Sequence, residues 1–162
     1  MKSRYLLGLM LCILMIACTQ EKTSSELPLT SDAVMVYDSL SAARVGADVY
    51  GMKQYVMAFL KRGPNRDRSQ AERDRLQRAH LDNISALAEA GTLVLAGPFL
   101  TDGELRGIYI FDVKTVEEAR ELVETDPAIQ AGSLIMELMP WYGSAALTEL
   151  NALHAKYEKV RI

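Results

Sequence analysis

Cysteine and histidine are scarce in this chain of 162 residues, which contains two of each. Both cysteines, Cys12 and Cys18, precede the part of the sequence that has the pattern of a folded domain. A domain without thiols has no disulfide, no thiolate metal site and no cysteine nucleophile. With only His80 and His154 available, a histidine-rich zinc site is not expected either. The sequence also lacks a glycine-rich phosphate-binding loop, so we expect neither a metal nor a cofactor.

Long apolar runs are also absent, apart from one at the N-terminus. Residues 5–17 form an apolar run of about thirteen residues that follows Lys2 and Arg4. This is shorter than the ~20 residues that a membrane-spanning helix needs, and it is typical of a secretory signal peptide. The run ends in Leu-Met-Ile-Ala-Cys, which resembles a bacterial lipobox with Cys18 as the acylated residue. Thr19 then favours sorting to the outer membrane, facing the periplasm; an ordinary cleaved signal or an N-terminal anchor helix are the alternatives.

Excess positive charge is lacking as well. The formal net charge is −3, and removal of Lys2 and Arg4 with the signal would make it −5. A mildly acidic protein binds nucleic acid poorly. We therefore expect no nucleic-acid partner, and a membrane contact only through the lipid.

The remaining length allows one domain with one core. We predict a signal peptide over residues 1–17 and a lipid tether with a flexible linker and a short helix over 18–47. The folded domain is predicted over 48–143 and a C-terminal helix over 144–162.

Apolar patterning and capping residues predict an α+β domain. Strands are predicted at residues 54–60, 92–96, 107–113 and 134–139. Helices are predicted at 38–44, 69–90, 116–124 and 145–156, with a short helical turn that begins at Asp126-Pro127 and ends at Gly132. Ser69 with Glu72 and Thr115 with Glu118 have the spacing of capping boxes. Residues 61–65 are predicted as a loop, and Asp102-Gly103 predicts a tight hairpin.

The order strand, helix, strand, strand, helix, strand is typical of a ferredoxin-like fold with a four-stranded antiparallel sheet. Helices cover one face of such a sheet, and the strands are apolar on both faces. Something must therefore cover the second face. A second copy of the chain, packed sheet to sheet, is the partner we expect; the alternative is that the terminal helix folds over its own sheet.

His80 and Asp126 are the candidate catalytic residues. Leu76, His80, Ile84 and Leu87 share one helix face, so His80 occupies the stripe that packs on the sheet. Asp126 precedes the fourth strand, and both side chains can reach the same edge of the sheet. A carboxylate in contact with an imidazole fixes its tautomer, as in a general acid or base. The alternatives are structural, because Asp-Pro starts helices by itself and a semi-buried histidine often satisfies a carbonyl.

Other candidate ligand-binding residues are Gly97, Pro98 and Arg62. Gly97-Pro98 either bends the second strand beside a pocket or forms a plain bulge. Arg62 and Arg66 belong to a run, residues 61–78, with seven basic and three acidic residues. They would steer an anionic ligand, or they form a solvated loop and outer helix face.

The spaced set of Arg-Ala-His-Leu ending at Leu81, Ala-Gly-Pro at Ala96 and Asp-Pro at Asp126 resembles the YCII family over residues 53–141. The resemblance implies a dimeric α+β barrel similar to muconolactone isomerases, with His80 and Asp126 as the active-site pair. One branch of that family removes chloride from a chlorinated hydroxyhydroquinone by proton-transfer elimination without a cofactor. We thus expect proton transfer on a small cyclic or phenolic substrate, or else a non-catalytic ligand-binding or assembly module that keeps the fold.

Overall fold

The computed structural model describes residues 36–160. From Tyr37 onward the chain forms one compact unit. The predicted signal peptide, Cys18 and the linker as far as residue 35 lie outside the described residues. In the described part of the chain, no helix is long and apolar enough to cross a membrane.

The described elements alternate between helix and strand in the predicted order. The helices are α1 (Ser39–Val45), α2 (Gln70–Glu89), α3 (Val116–Val123), α4 (Pro127–Gln130) and α5 (Leu150–His154). The strands are β1 (Met52–Arg62), β2 (Leu93–Pro98), β3 (Leu105–Phe111) and β4 (Leu134–Ser144). A 3-10 turn, Ala145–Glu149, joins β4 to α5.

The four strands form one sheet in the order β2-β3-β1-β4, with antiparallel pairs throughout. Together with α2 after β1 and α3 before β4, this is the ferredoxin-like arrangement that the sequence pattern predicts. The predicted fold class is therefore confirmed.

Local signals start the helices where the sequence places them. Ser69 accepts a hydrogen bond from the backbone of Glu72 at the start of α2. Thr115 and Glu118 form a complete capping box at the start of α3. Asp126 caps α4, whose first residue is Pro127. These side chains satisfy backbone N–H groups that a helix leaves unpaired at its first turn.

The two strands that pair over their full length are longer than predicted. β1 and β4 are in register from Met52 opposite Ser144 to Arg62 opposite Leu134. Lys61 and Arg62, predicted as loop, are therefore part of β1. β4 can include Pro140 because it is an edge strand, and an edge strand tolerates a residue without an N–H donor.

Two other predictions at the ends of elements differ from the structure. The predicted terminal helix over 145–156 is a 3-10 turn followed by the short α5. Asn151 holds this segment, since its side-chain amide donates to the carbonyls of Ala88 and Leu93. The connection between β2 and β3 spans residues 99–104, which is wider than the tight hairpin that Asp102-Gly103 predicts.

Apolar residues pack on both faces of the sheet. On the face that α2 and α3 cover, the strands and helices bury a core of Val56, Ala58, Leu60, Leu93, Tyr109, Phe111, Ala119 and Val123. The opposite face, which we call the open face, has a smaller cluster around Tyr55, Val94 and Ile110. Leu147 of the 3-10 turn packs against this second cluster, so the C-terminal segment covers part of the open face.

Candidate active site

The structure brings His80 and Asp126 together in the interior. His80 is a buried residue of α2 with 8% of its surface exposed, and Asp126 at the start of α4 is 1% exposed. Nδ1 of His80 lies 2.6 Å from Oδ2 of Asp126. The two residues are 46 positions apart in sequence, and the packing of α4 against α2 brings them into contact.

The carboxylate of Asp126 is held in place by its second role as a helix cap. Its Oδ1 accepts a hydrogen bond of 2.8 Å from the backbone N–H of Ala128. Oδ2 is left for the imidazole. Because a carboxylate accepts hydrogen bonds and does not donate them, the ring donates from Nδ1, and in its neutral form it then has a lone pair on Nε2.

Tyr109 of β3 completes this buried chain of polar groups. Its hydroxyl lies 3.3 Å from Nε2 of His80, and the two rings are close to parallel, with centroids 6.3 Å apart. Burial raises the pKa of the Tyr109 phenol, and the negative charge of Asp126 raises it further. The phenol therefore keeps its proton at neutral pH and donates toward Nε2. This direction of donation agrees with a proton on Nδ1.

His80 forms part of the wall of a cleft of about 260 Å³. The other walls come from the connection between β1 and α2, from the first half of α2, and from residues 128–134. Leu76, Ala128 and Leu134 supply apolar surface, while Arg66, Arg68, Arg73, Gln77, Asn65 and Ser133 supply polar groups. Pockets for small ligands are usually ~300–1,000 Å³, so this cleft suits a molecule of about one ring.

Two glycines allow the connection between β1 and α2 to pack closely against residues 132 and 133 in the wall of the cleft. Gly63 and Asn65 donate backbone hydrogen bonds to the carbonyls of Ser133 and Gly132. A Cβ atom at Gly63 would lie 2.2 Å from the Gly132 carbonyl oxygen, so no other residue fits there. Gly132 itself has φ of +67°, the left-handed region that favours glycine.

Three residues predicted to bind a ligand lie elsewhere. The Arg62 side chain donates to the Gly103 carbonyl at 3.1 Å and lies 3.9 Å from Asp102. Gly97 and Pro98 are in β2, paired with Ile108 and Gly107. None of the three is among the residues that form the His80 cleft.

Tyr109 is the residue of the site that sequence reasoning missed. Its position two residues before Phe111 places both side chains on the same face of β3, toward α2. That alternation was visible in the sequence. What it did not show is which residue of the α2 stripe would lie opposite Tyr109.

Within residues 36–160, no group of three or more histidine, cysteine or acidic side chains is placed to hold a metal ion. His80 and Asp126 contact each other, with Tyr109 as the other polar neighbour of the ring. The site thus offers a tautomer-fixed imidazole beside a small cleft, which is an arrangement suited to moving a proton.

Comparison with known proteins adds a family. The family model described as the YCII-related domain matches residues 56–142, more than half of the chain. No curated protein matches the chain. A solved structure that is similar to the chain is 5-chloro-2-hydroxyhydroquinone dehydrochlorinase (TftG) from Burkholderia phenoliruptrix AC1100, in complex with 2,5-dihydroxybenzoquinone. The identity is 21% and the TM-score 0.41, with 53% of this chain and 92% of the other covered.

Proposed function

Since the chain belongs to the YCII-related domain family, we propose that it catalyses cofactor-independent proton transfer, an elimination or isomerisation, on a small cyclic or phenolic substrate. The observation that carries the proposal is the 2.6 Å contact between Nδ1 of His80 and Asp126. This contact leaves Nε2 as the ring nitrogen that can take or give a proton. His80 lines a cleft, and this cleft can hold the substrate with which the ring exchanges the proton.

In the proposed reaction, Nε2 of His80 takes a proton from the substrate. The imidazolium that forms lies against the carboxylate of Asp126, which stabilises its positive charge. In an isomerisation the same proton returns to a different atom of the substrate. In an elimination the electron pair of the broken bond forms a new double bond and the leaving group departs as an anion.

The hydroxyl group of Tyr109 lies beside Nε2 of His80. A distance of 3.3 Å is long for a hydrogen bond from a hydroxyl group. A substrate O–H or activated C–H group replaces this weak contact at little cost. The buried phenol then contributes a dipole beside the reacting nitrogen.

A second candidate function, a non-catalytic binding module, is favoured by the burial of His80. Both ring nitrogens have partners, and no buried side-chain polar atom among the described residues lacks one. An imidazole in this setting also serves as a structural link between α2, α4 and β3. The two functions differ in what the loss of the ring does to turnover.

The test follows proton transfer directly by NMR in D₂O. The probes are a chlorinated hydroxyhydroquinone, single-ring phenols and enolisable cyclic ketones. Proton loss from carbon, or chloride release, is expected with the natural chain. His80→Gln should lower the rate by about 10²–10⁴-fold, while His154→Gln, a change at the exposed histidine of α5, should leave it unchanged.

The free energy of unfolding separates the two functions. If no probe reacts and His80→Gln only lowers stability, by about 1–3 kcal/mol, the binding module is the better account. Equal rates for His80→Gln and the natural chain would remove His80 from the mechanism.

We also propose that Cys18 carries lipid and holds the chain at the periplasmic side of the outer membrane. The support is the sequence from Leu14 to Cys18, preceded by a short apolar run. Stable anchoring takes at least two acyl chains or a second membrane signal. Cys18→Ser should therefore release the protein into the soluble periplasmic fraction, and retention in the membrane would contradict the proposal.

A homodimer is the partner we propose for the open face. Ile135 and Met139 of β4 are 47% and 44% exposed there. In the register of the sheet Met139 lies opposite Met57 of β1, and Ile135 lies opposite Lys61. A second copy that packs its own open face on these side chains would remove them from water.

A further inference from the structure

Arg66 is presented to the cleft without a partner of its own. It lies in the connection between β1 and α2 and is exposed. Among residues 36–160, its guanidinium makes neither an ion pair nor a side-chain hydrogen bond. An arginine at the wall of a cleft with all its donors free is available to a ligand.

The connection that carries Arg66 is held on both sides of it. Gly63 and Asn65 are bonded to residues 132 and 133, as described above. Arg68 donates to the carbonyl of Asn65 at 2.6 Å, to Ser133 Oγ at 3.0 Å and to the carbonyl of Ala131. Arg66 is therefore offered from a fixed backbone, which lowers the entropy cost of binding through it.

The positive charges of the other two arginines in the cleft are only partly balanced by neighbouring carboxylates. Arg73 bonds to the backbone carbonyl of Arg68 and to Gln70 at 2.7 Å, and both of these partners are neutral. Arg68 has one acidic partner, Glu72, at 3.3 Å. Glu72 is not among the residues that form the His80 cleft, and no other aspartate or glutamate is.

The cleft thus combines a positive rim with an apolar floor. Three arginines line it with no carboxylate, and Leu76, Ala128 and Leu134 supply apolar surface. Its volume of about 260 Å³ accommodates a molecule of about one ring. Asp126, the acidic group that contacts His80, is 1% exposed and is not among the residues that line the cleft.

We propose that the substrate of this site is an organic anion, a single ring that carries a carboxylate, and that Arg66 binds the carboxylate while the ring lies against the apolar floor. This rests on the proposed function, in which His80 reacts with the ring. Arginine suits this task because its planar fork donates two parallel hydrogen bonds to a carboxylate.

The test is a binding experiment with two probes that differ in charge and little else, 4-hydroxybenzoate and 4-hydroxybenzamide. Affinities for the full chain with Cys18→Ser are measured by calorimetry, and ring signals of His80 by NMR. The benzoate should bind at least about tenfold more tightly than the amide. Its affinity should fall as salt is added, because exposed charges are screened.

Arg66→Gln should abolish the preference for the benzoate. The matched control is Arg75→Gln, which removes the same charge from another exposed arginine that has no side-chain partner in the described chain and does not line the cleft. It should keep the preference. Equal affinities for the two probes, equal losses in both variants, or no binding of the benzoate at millimolar concentration would each overturn the proposal.

The outcome is independent of turnover. Failure of the benzoate to bind leaves the proton-transfer test of His80→Gln standing, with neutral phenols and ketones as the substrates. Conversely, benzoate binding through Arg66, together with no proton transfer on any of the reaction probes, supports the anion site and contradicts the proposed enzyme.

Discussion

At the scale of single residues, a titratable ring is buried in this protein because every polar atom around it has a partner. His80 bridges Asp126 and Tyr109, and Asp126 also binds the backbone of Ala128. Leaving a buried donor or acceptor without a partner costs about 1–3 kcal/mol. Removal of the ring therefore leaves the polar groups of Asp126 and Tyr109 without this partner in an apolar environment, whether or not the protein catalyses a reaction.

Two buried tyrosines make stability sensitive to alkali. Burial, with the negative charge of Asp112 as a second cause, raises the pKa of Tyr55 from 10.0 to about 12, and burial also raises the pKa of Tyr109. Above pH 10 the unfolded chain releases phenolic protons that the folded protein keeps. The free energy of unfolding should therefore fall as pH rises from about 10 to 12.

Denaturation by urea at a series of pH values checks this. Tyr55→Phe and Tyr109→Phe should each make the decline between pH 10 and 12 shallower. Tyr157→Phe, at a position that is 79% exposed, should leave the slope unchanged. Three identical slopes would contradict the assignment of the alkaline loss to the buried phenols.

At the scale of elements, the connection between β1 and α2 depends on how closely it meets the turn after α4. The side-chain amide of Asn65 donates to the Ala131 carbonyl at 3.0 Å. A Cβ atom at Gly132 would lie 2.6 Å from that amide nitrogen. A side chain at Gly132 must therefore push Asn65 away and break the bond.

Gly132→Ala and Gly91→Ala form a matched pair that measures this contact. Both glycines have positive φ, +67° and +76°, but a Cβ at Gly91 meets nothing within 4 Å. Gly91→Ala should cost about 1 kcal/mol for the left-handed backbone alone. Gly132→Ala should cost about 2 kcal/mol, because it also loses the Asn65 hydrogen bond. Chemical denaturation gives both values, and equal costs would show that the connection does not rely on this contact.

Elements governed by local signals were the ones that the sequence predicted well. Ser69, Thr115 and Asp126 each start a helix within one residue of the predicted position. The ends of β1 and β4 were predicted too short, since pairing with a distant strand extends a strand beyond its own apolar run.

The candidate site also has a part that the sequence predicted and a part that it did not. His80 stood out in the sequence as a titratable residue in an apolar stripe, and Asp126 as a helix cap, and the structure places them in contact. Tyr109 and the cleft that Arg66, Arg68 and Arg73 line arise from tertiary packing of segments far apart in sequence. No periodicity within one segment reports such a contact.

At the scale of the whole molecule, one face of the sheet is incompletely covered. The C-terminal segment reaches it through Leu147, while Ile135 and Met139 stay exposed. Lys61 and Glu137 form an ion pair on the same face. This mixture of apolar surface and paired charge is what the proposed homodimer would bury.

Light scattering of the chain with Cys18→Ser tests the dimer. We expect twice the mass of one chain, and Met139→Glu should reduce it to one, because Met139 lies opposite Met57 and the carboxylate would be buried without a partner. The control is Leu100→Glu, at a fully exposed position away from the sheet, which should keep the dimer. A monomer in the absence of any substitution would contradict the proposed partner.

The most direct test of the central claim, that His80 is a proton-transfer residue oriented by Asp126, is the ¹⁵N NMR spectrum of its neutral ring. We expect a proton on Nδ1 and a free lone pair on Nε2, with this preference lost in Asp126→Asn, where an asparagine can still cap α4. A proton on Nε2 in the natural chain would contradict the account, because the ring would then donate to Tyr109 and have no base to offer a substrate.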